Sequence, residues 1–382
     1  MRITDYDLYR VPPRWLFLRV ETSDGITGWG EPVVEGRART VATAVEELFE
    51  THLLGADPLL VEDHWQEMYR GGFYRGGPIL MSAIAGVDQA LWDIKGKHHD
   101  VPIHELLGGA VRDRIRVYQW VGGDDPSDVA EAAADQVDAE FTALKMNATG
   151  TLRRIDTPAE IHKARDRLEA VREAVGSHID IGVDFHGRAT KSMAKRLATA
   201  IEPAEPMFIE EPVLPEHNEH LPALAAHTDI PIATGERMFS RWDFKHVLED
   251  GAVDVIQPDL SHAGGITEVR KIAAMAEAYD VSVAPHCPLG PIALASCIQF
   301  GASTSNVFIQ EQSLDMHYNE ESDVLDYLDN PSVFAYEDGY ADIPPESGLG
   351  IEIDLDVVQE RAGEEDWKPP VWRTDDGTVA EW

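Results

Sequence analysis

Six short apolar runs, each leading into an ionisable residue at near-constant spacing, restrict this chain's fold more than any other feature. Residues 181–183 lead into Asp184, 208–209 into Glu210, 230–234 through Gly235 into Glu236, and 253–256 through Gln257 and Pro258 into Asp259. Residues 281–284 then lead through Pro285 into His286, and 307–309 through Gln310 into Glu311. The steps are 26, 26, 23, 27 and 25 residues, each room for one short strand, one helix and two loops. That repeat is the mark of a parallel sheet built from right-handed βαβ units. Lys145, after the run 141–144, stands 39 residues before Asp184, one longer unit. Ionisable groups at the carboxyl ends of the strands predict a (β/α) barrel, because functional groups of such barrels gather at that face.

The chain of 382 residues is long enough for such a barrel and a second module. Residues 3–11 and 15–22 alternate as a hairpin, and Asp24-Gly25 turns the chain into 26–30. Helical periodicity follows over 36–49, 60–69, 81–97 and 102–107, so an α+β module fills residues 1–113. Between the helices, GGFYRGGP (71–78) is a glycine-rich loop presenting Phe73, Tyr74 and Arg75. The barrel is expected over 114–325, with its first strand at 115–121. After Glu311 the pattern dissolves: 318–342 is polar and acidic, 348–354 has the form of one more strand, and 326–382 is expected to pack back on the first module.

Charge excludes several functions. With 69 acidic against 32 basic residues, and 9 Lys against 23 Arg, the net charge of −37 repels nucleic acid and anionic membranes. The acids are spread along the chain rather than held in a tail. Together with a 43% hydrophobic composition, that is the pattern of a protein adapted to concentrated salt. No apolar run nears the ~18 residues of a membrane span, and the charged, alternating start is not that of a targeting peptide. A cytoplasmic protein is expected. Cys287 and Cys297 form neither a disulfide framework nor a zinc spacing.

In a strand, residues i and i+2 share a face, so Asp184 and His186 leave one strand end together. An Asp after a buried strand also serves as an ordinary turn or cap residue. What favours chemistry is Asp184, Glu210 and Glu236 on three successive strand ends: three converging carboxylates repel unless a cation lies among them. Hard oxygen donors with room for water and substrate suit magnesium better than zinc. On the next two strand ends, Asp259 would orient His286 and raise its basicity. His186 would face that pair across the metal, with Lys145 and Glu311 placed to hydrogen-bond developing charge. Two histidines so placed suit removal of a proton at one carbon, next to a carboxylate, and delivery of another to a leaving group. The run His217-Asn218-Glu219-His220 reads as a solvated surface.

Longer strings carry a resemblance: GRART (36–40), FYRGGPILMSAI (73–84), DQALWDIKGK (88–97), DFHGR (184–188), FIEEPVL (208–214), GERMFSR (235–241), QPDLSHAGGITE (257–268), APHCPLGPIALA (284–295), FIQEQS (308–313) and the terminal VAEW. Over nearly its whole length the chain resembles the mandelate racemase subgroup of the enolase superfamily. The resemblance implies a modified (β/α)8 barrel of (β/α)7β type under an α+β capping domain formed by the N-terminal region and the C-terminal tail. It implies one Mg2+ per subunit on Asp184, Glu210 and Glu236. It also implies His286 with Asp259 as base at C2, His186 as the acid that expels the 3-hydroxyl, and Glu311 stabilising the intermediate. The expected reaction is dehydration of a small sugar acid, D-galactonate first and D-gluconate next, by a homo-oligomer. Racemases of the subgroup carry a second base in a Lys-x-Lys motif; here Lys145-Met146-Asn147 stands instead, which favours elimination over racemisation. A racemase or epimerase, and a non-catalytic barrel that binds metal and sugar acids, are the alternatives. Asn147, Arg14 and Tyr74 are candidate substrate contacts.

Overall fold

A computed structural model describes residues 1–316, 319, 322–363 and 367–382; Tyr318, where the polar stretch begins, lies outside them. Strands β1 (Ile3–Val11), β2 (Trp15–Thr22) and β3 (Thr27–Gly30) form an antiparallel sheet in sequence order. Helices α1 (Ala38–Leu48), α2 (Val61–Arg70), α3 (Pro78–His99) and α4 (Ile103–Leu107) follow. Of these, α3 is buried nearly all round, because it is sandwiched between the sheet and the barrel. Gly30 and Gly86 let β3 and α3 meet backbone to backbone: a Cβ on Gly30 would stand 1.9 Å from the Gly86 carbonyl oxygen. The two glycines therefore serve close packing.

The barrel strands are β4 (Arg114–Val121), β5 (Ala143–Asn147), β6 (Asp180–Asp184), β7 (Phe208–Glu210), β8 (Ile232–Thr234), β9 (Val255–Ile256), β10 (Ser282–Val283) and β11 (Gln310–Glu311). Neighbours from β4 to β10 pair in parallel; β11 pairs with β4, and a bridge from Val283 to Val307 closes the ring. Between them lie α5 (Pro126–Asp138), α6 (Pro158–Val175), α7 (Lys191–Ile201), α8 (Leu221–Ala225), α9 (Arg241–Glu249), α10 (Gly265–Ala278) and α11 (Pro291–Ser303), seven crossovers for eight strands. This is the expected (β/α)7β form.

The barrel interior explains why the site residues recur. Tyr118, Ala143, Phe208, Ala233, Val255, Ala284 and Ile309 form an apolar cluster of their own. Two residues further along their strands stand Trp120, Lys145, Glu210, Gly235, Gln257, His286 and Glu311. With a period of two, each polar residue projects on the same side as the apolar one before it, one layer higher. On β6 the lower position is Gly182, where a Cβ would meet the Phe208 ring at 2.8 Å.

Two expectations after the barrel need correction. Residues 348–354 are not a strand: Gly348 and Ile353 make isolated bridges to Pro102 and Leu328, and Asp354 caps α12 (Leu355–Arg361) through the Val357 N–H. Gly348 pairs around Pro102, its N–H donating to the Val101 carbonyl and its carbonyl accepting the Ile103 N–H, but the next N–H, of Leu349, donates to Asp93 of α3 instead, so the pairing stops there. The stretch after Glu311 is also not featureless. A hairpin of β12 (Tyr336–Glu337) and β13 (Tyr340–Asp342) pairs antiparallel with the start of β4, and its Asp338-Gly339 turn is a hairpin signal in the sequence. The tail contacts both modules: Gly363 N–H donates to the Arg10 carbonyl, and Trp372 stacks on Arg188 at 4.6 Å. No described helix is long and apolar enough to cross a membrane.

Candidate active site

Parallel register places the acids side by side: Asn147 opposite Asp184, Asp184 opposite Glu210, and Asp259 bridged to His286. His286 Nδ1 lies 2.7 Å from Asp259 Oδ2. A carboxylate accepts only, so Nδ1 carries a proton and Nε2 is the atom turned toward the other acids. Nε2 stands 3.3 Å from Glu236 Oε2 and 3.9 Å from Glu311 Oε2. Burial alone would lower the His286 pKa; Glu236, Glu311 and Asp259 outweigh it and hold the imidazole well above its ordinary range.

His186 forms the second pair. Its Nε2 is 2.8 Å from Asp184 Oδ2, and its backbone N–H donates to Asp184 Oδ1 at 2.6 Å. At φ +48° it holds a left-handed conformation that turns the chain sharply after β6. Burial opposes ionisation of Asp184, yet the neighbouring His186 and Lys145 keep its pKa below the usual value.

Asp184, His186 and Glu236 each offer one ligand-type atom, and the three atoms lie within 4.8 Å of one another. Asp184 Oδ2 and Glu236 Oε2 are buried and make no aligned hydrogen bond among the described residues, although His186 Nε2 and His286 Nε2 stand close by. Buried carboxylate oxygens facing a common point without aligned donors fit a hard divalent cation. Glu210 is arranged differently: both its oxygens accept from Lys145 Nζ, at 3.0 and 2.9 Å. Lys145 also pairs with Glu311 Oε1 at 2.8 Å and lies 4.4 Å over the Trp120 ring. Burial would lower the Lys145 pKa, but Glu210 and Glu311 hold it well above normal, so the ammonium stays charged.

The remaining candidates are scattered. Asn147 ends β5 beside Asp184, with its Oδ1 buried and unpartnered among the described residues. Arg14 is buried, pairs with Glu35 and donates to the Pro288 carbonyl at 3.0 Å, next to the His286 loop. Tyr74 is 86% exposed, edge-on to Phe73, and is not brought to the acid cluster. Both cysteines are free and buried, and burial pushes the Cys287 thiol up, away from reactivity.

Sequence reasoning missed two residues here. Trp120 stacks on His186 at 15° with centroids 6.1 Å apart, and its Nε1–H donates to Glu311 Oε1 at 2.6 Å. Its signal is the same two-residue step that marks Lys145. Arg237 donates to Glu211 at 3.0 Å and to the His186 carbonyl at 3.0 Å, tying the His186 turn to the next strand end. The adjacent Glu210-Glu211 and Glu236-Arg237 hinted at this, since neighbours on a strand face opposite ways.

Fold and site together define a class: a closed parallel barrel carrying paired acid–base groups and a cation-type cluster at its strand ends, under a separate α+β module. Family models match both parts, the "Mandelate racemase / muconate lactonizing enzyme, N-terminal domain" over residues 12–108 and "Enolase C-terminal domain-like" over 128–357. The chain belongs to the enolase superfamily, in its mandelate racemase subgroup. It is 57% identical to D-galactonate dehydratase of Ralstonia pickettii and 56% identical to that of Pectobacterium atrosepticum, with 100% of each chain covered. Among solved structures, a putative galactarate dehydratase from Agrobacterium radiobacter, bound to Na and L-malate, superposes with a TM-score of 0.92 at 31% identity over 100% of both chains. A putative dehydratase from Mesorhizobium loti has a TM-score of 0.90 at 32% identity, covering 95% of this chain and 99% of its own.

Proposed function

We propose that this protein is a hydro-lyase that removes water from a sugar acid, D-galactonate first and D-gluconate next, to give a 2-dehydro-3-deoxy aldonate. Full-length likeness to D-galactonate dehydratases supports the substrate class. The observation that carries the chemistry is that two imidazoles, each against its own carboxylate, meet at one acid cluster. A cation held by Glu236 would offset the charge that keeps His286 protonated, leaving Nε2 to take the proton from C2 while Asp259 holds Nδ1–H and stabilises the imidazolium that forms. His186 gives its proton to the 3-hydroxyl; the C3–O bond breaks, C2 and C3 become doubly bonded, and water leaves. The enol then takes a proton at C3 to become the keto acid. Lys145 and Trp120 hold Glu311 in place beside this centre.

Asp184 and Glu236 would hold a magnesium ion, with Glu210 as third ligand once released from Lys145. When bound, the ion's charge makes the proton beside the substrate carboxylate easier to remove. Asn147 beside Asp184, with Arg14 next to the His286 loop, supplies the substrate contacts in this reading, and Tyr74, exposed away from the cluster, supplies none. Residues 1–113 are the cap, 114–325 the barrel and 326–382 the segment joining them again. The working form is a cytoplasmic homo-oligomer adapted to molar salt, in keeping with the net charge of −37.

The test is assay of purified protein in molar salt against a panel of aldonates in deuterated water. Keto acid from D-galactonate is expected. Labelled substrate returned without keto acid would favour an epimerase, and no turnover of any six-carbon aldonate would end the proposal.

A further inference from the structure

The Asp259–His286 pair is built by the barrel, yet the groups that hold its two loops come from the N-terminal module. Glu31, just past β3, is fully buried, and its carboxylate receives two backbone N–H groups, Gly290 at 2.7 Å and Ala293 at 2.9 Å. Those amides lie at the start of α11, four and seven residues after His286. Gln89 of α3 is also fully buried and makes three links. Its Oε1 accepts the Glu31 N–H at 2.7 Å, and its Nε2 donates to Ser261 Oγ at 3.0 Å and weakly to the Leu260 carbonyl at 3.4 Å. The Ser261 N–H in turn donates to Asp259 Oδ1 at 2.6 Å.

A continuous path therefore runs from Asp259 through Ser261, Gln89 and Glu31 to Gly290 and the loop of His286. Every member is buried, so no water substitutes for a lost partner. The path is stiff at its centre, because Gly30 and Gly86 press β3 directly on α3. Gly290 is fitted to it as well: a Cβ there would lie 2.7 Å from Glu31 Oε1. Within the barrel the two loops extend the β9–β10 pairing and are joined by the Asp259–His286 bridge and side-chain hydrogen bond.

We propose that Glu31 and Gln89 are positioning residues, a bracket through which the N-terminal module sets the alignment of His286 against Asp259. This rests on the reading of that pair as the C2 base. Neither residue touches substrate; they act by fixing where Nε2 points. Displacement of a reacting group by about 1 Å costs on the order of 100-fold in rate, so loosening the bracket lowers kcat while leaving ground-state binding in place.

The test uses the full-length enzyme with Gln89→Met, Glu31→Gln and Ser261→Ala. Glu31→Gln sets an amide NH2 against a backbone N–H, and Ser261→Ala removes one hydroxyl at little steric cost. Ser261→Ala therefore keeps the test alive if the larger changes fail to fold. Two readouts are taken on variants whose circular dichroism matches wild type. One is kcat and KM for C2 deuterium exchange or dehydration. The other is the His286 Nδ1 proton resonance in 15N-histidine-labelled protein, assigned by its loss in His286→Asn. Expected are a fall in kcat of about 10- to 100-fold, KM within about threefold, and a shifted or broadened resonance. A folded variant with kcat within twofold of wild type, or with an unmoved resonance, overturns the proposal. If the wild type turns over no aldonate, the resonance alone decides the bracket, and the functional assignment fails separately.

Discussion

Lys145→Met is the perturbation whose size follows most directly from the geometry. Lys145, Glu210 and Glu311 are all fully buried, and one ammonium serves both carboxylates at 2.8–3.0 Å. Methionine fills the same volume with no charge, leaving two buried acids without their cation. Breaking a buried ion pair by removing one partner costs about 3–5 kcal/mol, whereas an exposed pair such as Arg153–Asp375 contributes no more than about 1 kcal/mol. In the wild type the raised Lys145 pKa keeps the ammonium charged at pH 5 and pH 8 alike. Burial and the neighbouring acids already hold Glu210 well above its ordinary range, and loss of the ammonium that opposes them raises it further in the variant. The stability tied to that group is then greatest below its unfolded value, about 4.3, and falls as pH rises through the folded one. Urea unfolding in EDTA, so that no added cation replaces the ammonium, should show a loss of about 3–5 kcal/mol at pH 8 that shrinks at pH 5. Because the cluster is buried, 2 M KCl should not remove the difference. A loss below about 1 kcal/mol at pH 8, or an equal loss at both pH values, would refute the argument.

His186→Asn should abolish dehydration while leaving magnesium affinity, read by calorimetry, within about threefold; a large fall would make His186 a ligand, as its place beside Asp184 and Glu236 permits. Asp88, buried and accepting the Thr267 N–H at the start of α10, has its pKa raised by burial to about 7. A raised acid contributes stability below about 3.9 that is lost as pH rises through 7. The melting-point difference between Asp88→Asn and wild type should therefore grow in the variant's favour from pH 4 to pH 8, and a flat difference would contradict the shift. Raising KCl from 0.1 to 2 M should raise the melting midpoint, because it screens a net charge of −37; a fall would remove the salt adaptation.

The barrel and most of its site are legible in the residues because both rest on local repeats. A period of two along each strand stacks Lys145 over Ala143, Glu210 over Phe208 and Glu311 over Ile309. A period near 26 returns the chain to the same edge, so the list of strand-end groups follows without coordinates. The barrel itself was expected from the ionisable groups at successive strand ends, which gather at one face of such a fold.

Partnership among those groups belongs to the tertiary structure. Nothing along the chain says that Lys145 takes both oxygens of Glu210, that the Asp184–His186 pair meets Glu236, or that Trp120 lies between His186 and Glu311. Those choices depend on side-chain reach across a closed ring, where partners stand tens to hundreds of residues apart. The grip of Glu31 and Gln89 on the Asp259 and His286 loops is of the same kind. It exists only because two glycines, Gly30 and Gly86, bring a strand and a helix of one module into contact before that module meets the barrel.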